Sequence, residues 1–294
     1  MTWIELKLAL GKLDPERVEQ ALLDAGALSV TLEDAGDEPL YEPDPLNPPL
    51  WSDTRLTGLF PADADLDAVK AVLLATLTLE RLPAHRVERL EDRNWTREWL
   101  KDFKPMRFGR RLWVCPSGFA PPEASAVNLL LDPGLAFGTG THPTTALCLE
   151  WLDGVDLEGR IVIDYGCGSG ILAVAAARLG AKRVLAVDND PQALIATRSN
   201  AARNGVEGLI EAFTPESLPA TQADVLMANI LAGPLMRLAP RLAHLVRPGG
   251  ALVLSGILES QAADLHIAYA SHFGEFDASK RDDWLRITMT RKPD

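Results

Sequence analysis

Val162-Ile163-Asp164-Tyr165-Gly166-Cys167-Gly168-Ser169-Gly170-Ile171-Leu172 decides how the whole chain is read. The stretch starts as a buried strand, breaks at three alternating glycines and runs into an alanine-rich helix from Leu172 to Leu179. Glycine in such a turn admits positive φ and lets backbone come close to a ligand. The helix behind it presents unpaired N–H groups to the crevice. Val184-Leu185-Ala186-Val187 then leads to Asp188, 22 residues beyond Gly166. A carboxylate at that strand end is placed to accept both hydroxyls of a ribose. Strand, glycine turn, helix and acid-ended strand together make a nucleoside-binding half of an α/β sheet.

The glycine spacing narrows the nucleoside. A dinucleotide fingerprint, Gly-x-Gly-x-x-Gly/Ala, needs a small third residue at position 171, where this chain has Ile171. The third glycine comes one position early, at Gly170, which disfavours an NAD-dependent oxidoreductase. The pattern resembles the first motif of the class I S-adenosylmethionine (AdoMet)-dependent methyltransferases. That motif reads acid-x-Gly-x-Gly-x-Gly, here from Asp164, with a second acid, here Asp188, closing the next strand.

Bulk properties bound the possibilities. A chain of 294 residues is long for one domain and comfortable for two. Its 47% hydrophobic and 24% charged residues are those of an ordinary globular protein. The first residues carry neither a basic segment nor an apolar core of a signal peptide, and no apolar run is long enough to span a bilayer. Three scattered cysteines, Cys115, Cys148 and Cys167, lack metal-ligand spacing and read as reduced thiols of a cytoplasmic protein. The net charge of −12 argues against broad contact with nucleic-acid phosphates and suits a solvated surface or a cationic partner.

The first ninety or so residues predict a small α+β domain. Ile4, Leu6, Leu8 and Leu10 alternate with polar neighbours as in a half-buried strand. Asp14-Pro15-Glu16 opens a helix that Gly26 closes. Strands follow over Leu28 to Leu32 and, beyond a proline-rich loop (Glu38 to Pro49), over Thr54 to Phe60. Asp65 caps a helix to about Leu79, and Arg86 to Leu90 completes a β-α-β-β-α-β, ferredoxin-like order. RNA-binding modules share that topology, but their central strands carry several stacking aromatics with basic neighbours. Thr54 to Phe60 has one aromatic, so a protein-docking unit is the better reading. Trp95 and Trp99 then sit on one face of a connecting helix, where packing explains them, and Arg111 to Cys115 reads as an extended piece. The divisions are thus residues 1–91, a linker of 92–125, and 126–294.

From Val127 onward strands and helices alternate. Asp190-Pro191 caps a helix that ends near Asn204-Gly205. Leu209 to Phe213 and Asp224 to Ala228 are strands, and Pro234 to Val246 is a helix. Arg247-Pro248-Gly249-Gly250 turns into a strand over Ala251 to Ser255. A further helix runs from about Leu258 to Tyr269, and Trp284 to Thr290 is the last strand, with a short partner around Phe276. This order predicts a seven-stranded, Rossmann-like α/β methyltransferase sheet whose seventh strand is antiparallel. Ligands in such sheets bind beyond the carboxyl ends of the strands, which gathers Gly166, Gly168 and Gly170, Asp188 and Asn229. Asn229-Ile230-Leu231-Ala232-Gly233-Pro234 offers an amide and backbone carbonyls that could orient a nitrogen nucleophile.

Ahead of the sheet, Leu131 to Thr145 is rich in glycine and threonine and reads as a closing loop. Thr141 or His142 caps the helix from Pro143 to Leu152. Three segments, Asp132-Pro133-Gly134-Leu135-Ala136-Phe137-Gly138-Thr139-Gly140-Thr141-His142-Pro143-Thr144-Thr145, Asp164 to Leu172, and Asn229 to Pro234, together resemble the bacterial methyltransferases of large-subunit ribosomal protein L-eleven. The resemblance covers the whole chain. It implies AdoMet as methyl donor, S-adenosylhomocysteine as product, no metal, and transfer to lysine side-chain amines and the N-terminal amine of that ribosomal protein, up to trimethylation. The N-terminal domain would hold the protein substrate, with no direct nucleic-acid binding and no membrane. Cofactor contacts are implied at Thr145, Gly166, Asp188 and Asn229; Gly168 and Gly170 of the same turn, and Phe137 and Thr141 of the loop, are counted with them. Asn229 is also the candidate for positioning the amine. The alternative is an AdoMet-dependent N-methyltransferase acting on RNA or a small molecule.

Overall fold

The computed structural model describes residues 2–36, 38, 49–91, 104–132 and 140–293. The expected linker helix with Trp95 and Trp99, most of the proline-rich loop and Phe137 lie outside these residues. The chain divides into two compact units, Met1–Glu98 and Trp99–Asp294.

The first unit runs β1 (Thr2–Ala9), α1 (Pro15–Asp24), β2 (Ser29–Asp34), β3 (Thr54–Pro61), α2 (Leu66–Leu77) and β4 (His85–Glu91). Its sheet has the order β2-β3-β1-β4, with every neighbouring pair antiparallel. Ile4, Leu6 and Leu8 are buried between partly exposed neighbours and share one core with Val18 and Leu22 of α1 and Val69 and Leu73 of α2. Both helices start where a short acidic side chain satisfies their first free N–H groups. Asp14 accepts from Glu16 N at 3.0 Å and Arg17 N at 3.3 Å. Asp65 accepts from Asp67 N and Ala68 N at 3.0 and 3.2 Å. Phe60, the aromatic of β3, is buried in the core.

The second unit opens with β5 (Met106–Phe108), β6 (Leu112–Cys115) and β7 (Val127–Leu130), which form a sheet of their own. The extended segment expected over Arg111 to Cys115 is β6, β5 is an additional strand ahead of it, and Phe108, Leu112 and Val114 belong to the main core beside Leu129 and Val162. A strand as short as β5 carries too few residues for a periodicity to show. Next come α3 (Pro143–Gly154), β8 (Ile161–Tyr165), α4 (Ile171–Arg178), β9 (Arg183–Val187), α5 (Pro191–Arg203), β10 (Ile210–Phe213), β11 (Ala223–Asn229) and α6 (Ala232–Leu245). The chain ends with β12 (Val246–Leu258), α7 (Ala262–Tyr269), β13 (Phe273–Arg281) and β14 (Trp284–Arg291).

The large sheet has seven strands in the order β10-β9-β8-β11-β12-β14-β13. Pairs from β10 through β12 are parallel, and β14 is antiparallel to both of its neighbours. The central strands are apolar throughout because helices cover both faces. Three boundaries differ from expectation. Glu259–Gln261 is a 3-10 turn, so the helix expected from Leu258 begins at Ala262. The partner of the last strand is nine residues long. The Arg247-Pro248-Gly249-Gly250 turn lies within β12: Val246 pairs with Ala223 and Ala251 with Val225, so the four residues between are looped out.

No helix of the described residues is long and apolar enough to cross a membrane. Leu149 on α3 is fully buried in the main core. Leu149→Ala should therefore lower stability by about 2–5 kcal/mol, the cost of the transfer loss plus the cavity left behind. Urea unfolding followed by circular dichroism should show the midpoint fall with the slope unchanged.

Candidate active site

The carboxyl ends of β8, β9 and β11 open into a cavity of about 870 Å³, within the usual range for a small-molecule site. Its floor is the turn between β8 and α4. Gly166, Gly168 and Gly170 have φ of 82°, 53° and 77°, the left-handed region that an L side chain enters at a cost. At Gly166 space is also limiting: a Cβ there would lie 2.3 Å from Cγ2 of Ile230. α4 has no side-chain cap. Instead Asp164 reaches into its first turn and accepts from Ala173 N at 3.0 Å.

The carbonyls of the same turn are held from behind by a polar stripe on α5. Thr197 donates to Gly168 O at 3.2 Å, and Asn200 donates to Ser169 O at 2.8 Å. One turn on, Asn204 exchanges hydrogen bonds with the backbone of Leu130, at 2.7 and 2.9 Å. The N–H groups of the turn are also taken up within the protein, Gly166 N and Cys167 N donating to Val187 O at 2.7 and 3.0 Å and Gly170 N to Cys167 O at 2.8 Å, so the turn faces the cavity with backbone and no side chain at Gly166 and Gly168. Gly168 N donates to Asp188 Oδ2 at 2.9 Å, while Asp190 N donates to Oδ1 at 3.0 Å. Asp188 is thus fixed at the end of β9 with lone pairs remaining on both oxygens.

The third wall comes from β11 and α3. His142 caps α3, its Nδ1 accepting from Thr144 N at 3.3 Å. One turn in, fully buried Thr145 meets Asn229, whose Nδ2 donates to the Thr145 hydroxyl at 3.3 Å. Engaging the amide nitrogen leaves Asn229 Oδ1 as the acceptor atom. Burial pushes the His142 imidazole below its ordinary pKa, so it is neutral at pH 7.

Of the residues anticipated around the cofactor, Thr145, Gly166, Gly168, Asp188 and Asn229 line this one cavity. Gly170 caps α4 behind the lining, and Thr141 is exposed outside it. Phe137 lies outside the described residues. Several lining residues were not anticipated. Gly256 comes so close to the β11 end that a Cβ would lie 2.4 Å from Ile230 O; a glycine inside a strand pattern was the available signal. Trp284 reaches the cavity from β14, its ring 4.9 Å from that of His142 in an edge-to-face arrangement. Arg241 sits 6.0 Å from the centre of the Tyr165 ring and donates to Pro215 O. Nothing local marks either Trp284 or Arg241, because both meet the site only through tertiary structure.

The family model described as ribosomal protein L11 methyltransferase (PrmA) matches residues 2–292. The chain belongs to the ribosomal protein L11 methyltransferase family. It is 57% identical over 295 residues to a ribosomal protein L11 methyltransferase of Pseudomonas paraeruginosa, covering all of both chains. A relative of the same name from Azotobacter vinelandii is 55% identical over 296 residues, covering 99% of this chain and all of that one. Among solved structures, a ribosomal protein L11 methylase from Lactobacillus delbrueckii subsp. bulgaricus is 31% identical with a TM-score of 0.59. That likeness covers 65% of this chain and 99% of the other. The family is one of AdoMet-dependent methyltransferases with a mixed α/β sheet, and in this chain that sheet and its glycine turn frame the cavity.

Asp164 is the most perturbed acid of the site. Burial, opposed by the Ala173 N–H bond and aided by the Asp188 charge, raises its carboxyl to about 7. Between the unfolded value of about 4 and 7, the folded protein keeps a proton that the unfolded chain has released, so stability falls as pH rises. Above 7 both forms are ionised and the loss levels off. Asp164→Asn has no such slope. Urea unfolding at pH 4.5, 6 and 8 should show the parent chain losing ground to the variant with each step up to about pH 7.

Proposed function

We infer that this chain transfers methyl groups from AdoMet to amines of large-subunit ribosomal protein L11, at lysine side chains and the N-terminal amine, as far as trimethylation. The observation that carries this reading is the meeting of Asn229 with Thr145 in the same cavity as the glycine turn and Asp188. The family membership supports the donor and the protein substrate.

The residues present fit AdoMet. Asp188, held by two backbone N–H groups, is suited to a ribose diol. Asp164, buried with Oδ1 unpaired among the described residues, adds a carboxyl beneath the glycine turn, outside the cavity lining. The glycine turn leaves room for a ligand to lie against backbone. AdoMet, when bound, supplies an electrophilic methyl carbon on a sulfonium.

Alignment is then the protein's main contribution. AdoMet held by Asp188 and the glycine turn would supply the methyl for a new N–C bond at the amine lone pair, its S–C bond giving way to an uncharged thioether. The incoming amine must be neutral, and free lysine at pH 7 is neutral only about four times in ten thousand. Asn229 Oδ1 and the backbone carbonyls of the Asn229–Leu231 segment accept the remaining N–H bonds and so point the lone pair inward. Neutral His142 adds no charge that would repel the lysine. Solvent carries away the proton released after each transfer.

The first unit serves in this reading as the holder of the ribosomal protein, in a ferredoxin-like β-α-β-β-α-β arrangement. The burial of Phe60 supports a protein partner over a base-stacking one.

Incubation with methyl-labelled AdoMet and either ribosomal protein L11 or ribosomal RNA tests the assignment: label is expected on the protein and not on the RNA. Asp188→Ala should weaken AdoMet binding by about 1–3 kcal/mol, measured by calorimetry, through loss of buried hydrogen bonds. Asn229→Ala should lower the rate of methyl transfer about 10- to 1000-fold, as expected when a positioning group is removed. Unchanged turnover and unchanged AdoMet affinity in that variant would remove Asn229 from the mechanism.

A further inference from the structure

Repeated methylation poses a recognition problem that hydrogen-bond acceptors alone do not solve. A lysine amine offers Asn229 and its neighbouring carbonyls two N–H bonds beyond the lone pair; a monomethylamine offers one, and a dimethylamine none. A site built only of acceptors would hold each successive substrate more weakly and would leave its own buried carbonyls unpaired. A group that attracts the amine without using an N–H bond is therefore needed for the last transfer.

The cavity contains such a group. Trp284 is 9% exposed and lines the cavity from the start of β14. It stands opposite Leu258 on β12, three residues beyond Ser255, which pairs with Asn229. Its ring meets that of His142, the cap of the same helix whose Thr145 holds Asn229. Gly256, between those two β12 positions, carries no side chain to separate the rings from the Asn229 end. Indole is the strongest π-donor among side chains toward a cation, and the neutral amine becomes one as it takes the methyl, spreading the new charge onto its methyl carbons. That attraction grows with desolvation and does not depend on N–H count.

We propose that Trp284, backed by His142, is the residue that sets the number of methyl groups, by stabilising through its aromatic surface the methylammonium that forms in the second and third transfers. The inference rests on the reading that the enzyme methylates amines of L11. Trp284 acts on the bound amine and leaves the AdoMet contacts at Asp188 and the glycine turn to other residues.

The test uses the full-length enzyme, AdoMet and unmethylated ribosomal protein L11, with intact-mass spectrometry over time. Trp284→Leu should slow the first transfer only about 3-fold and the third more than about 10-fold, so that mono- and dimethyl forms accumulate. Trp284→Phe should restore much of the trimethyl product. First and third transfers slowed by the same factor, or an unaltered product distribution, would overturn the proposal. Absence of any transfer by the parent enzyme would instead overturn the underlying reading. A second measurement needs no variant. N-acetyl-trimethyllysine amide should inhibit the parent enzyme about 2- to 30-fold more strongly than its uncharged carbon isostere. Equal inhibition by the two compounds would count against an aromatic hold on the cation.

Discussion

Three strand ends converge on Ile230, and the space they leave there governs the site. Gly166 closes β8 against the Ile230 side chain, and Gly256 passes the Ile230 backbone from the other side, with an added Cβ at either position meeting atoms 2.3–2.4 Å away. Such contacts are far inside van der Waals distance: a side chain at Gly256 would meet Ile230 backbone and displace β11 or β12, and one at Gly166 would displace the Ile230 side chain. The approach is also what puts Asn229 beside the glycine turn. Were the strand ends splayed to admit a methyl group, the Asn229 amide and the Asp188 carboxylate would no longer line one cavity. Packing at one residue thus fixes the distance between two functional groups that never touch.

A second layer keeps the turn in the required conformation. A loop of three left-handed glycines has little intrinsic preference for a single shape, because glycine loses the most conformational freedom on folding. Thr197 and Asn200 on α5 supply the missing restraint by taking up the Gly168 and Ser169 carbonyls. Asn204 extends the same stripe to Leu130 on β7. These are buried polar side chains with paired partners, which restrict the arrangement more than an apolar contact of equal area, because misalignment leaves a donor or acceptor orphaned. The small sheet of β5 to β7 is therefore tied to the ligand turn through one helix face.

Features encoded within a few residues are legible in the amino-acid sequence. The caps at Asp14, Asp65 and Asp190, the glycine turn and the acid ending β9 all follow from local stereochemistry. The strand order follows from the β8–α4 turn and the closing antiparallel strand. What the sequence hides is non-local. The strand β5, of three residues, is too brief to show alternation. The nine-residue length of β13 is obscured by its charged side chains. Arg286 on β14 is buried at 7% exposure, with Asp277 and Ser279 as partners, and an arginine in a strand ordinarily reads as a solvent-facing position. Trp284 likewise reads as any strand residue, and only the fold brings it to His142.

The buried carboxyl of Asp164 has a thermodynamic corollary for occupancy. Burial, aided by the Asp188 charge, raises that carboxyl to about 7, so it exchanges its proton near neutrality. A positive charge arriving beside its orphaned oxygen favours the ionised form, and the displaced proton passes to solvent. Binding of a cation near that carboxyl would then release a fraction of a proton, and its calorimetric heat would include the ionisation enthalpy of whichever buffer takes that proton up. One carboxylic acid, hidden beneath a glycine turn, couples the filling of the cavity to the acidity of the surrounding medium.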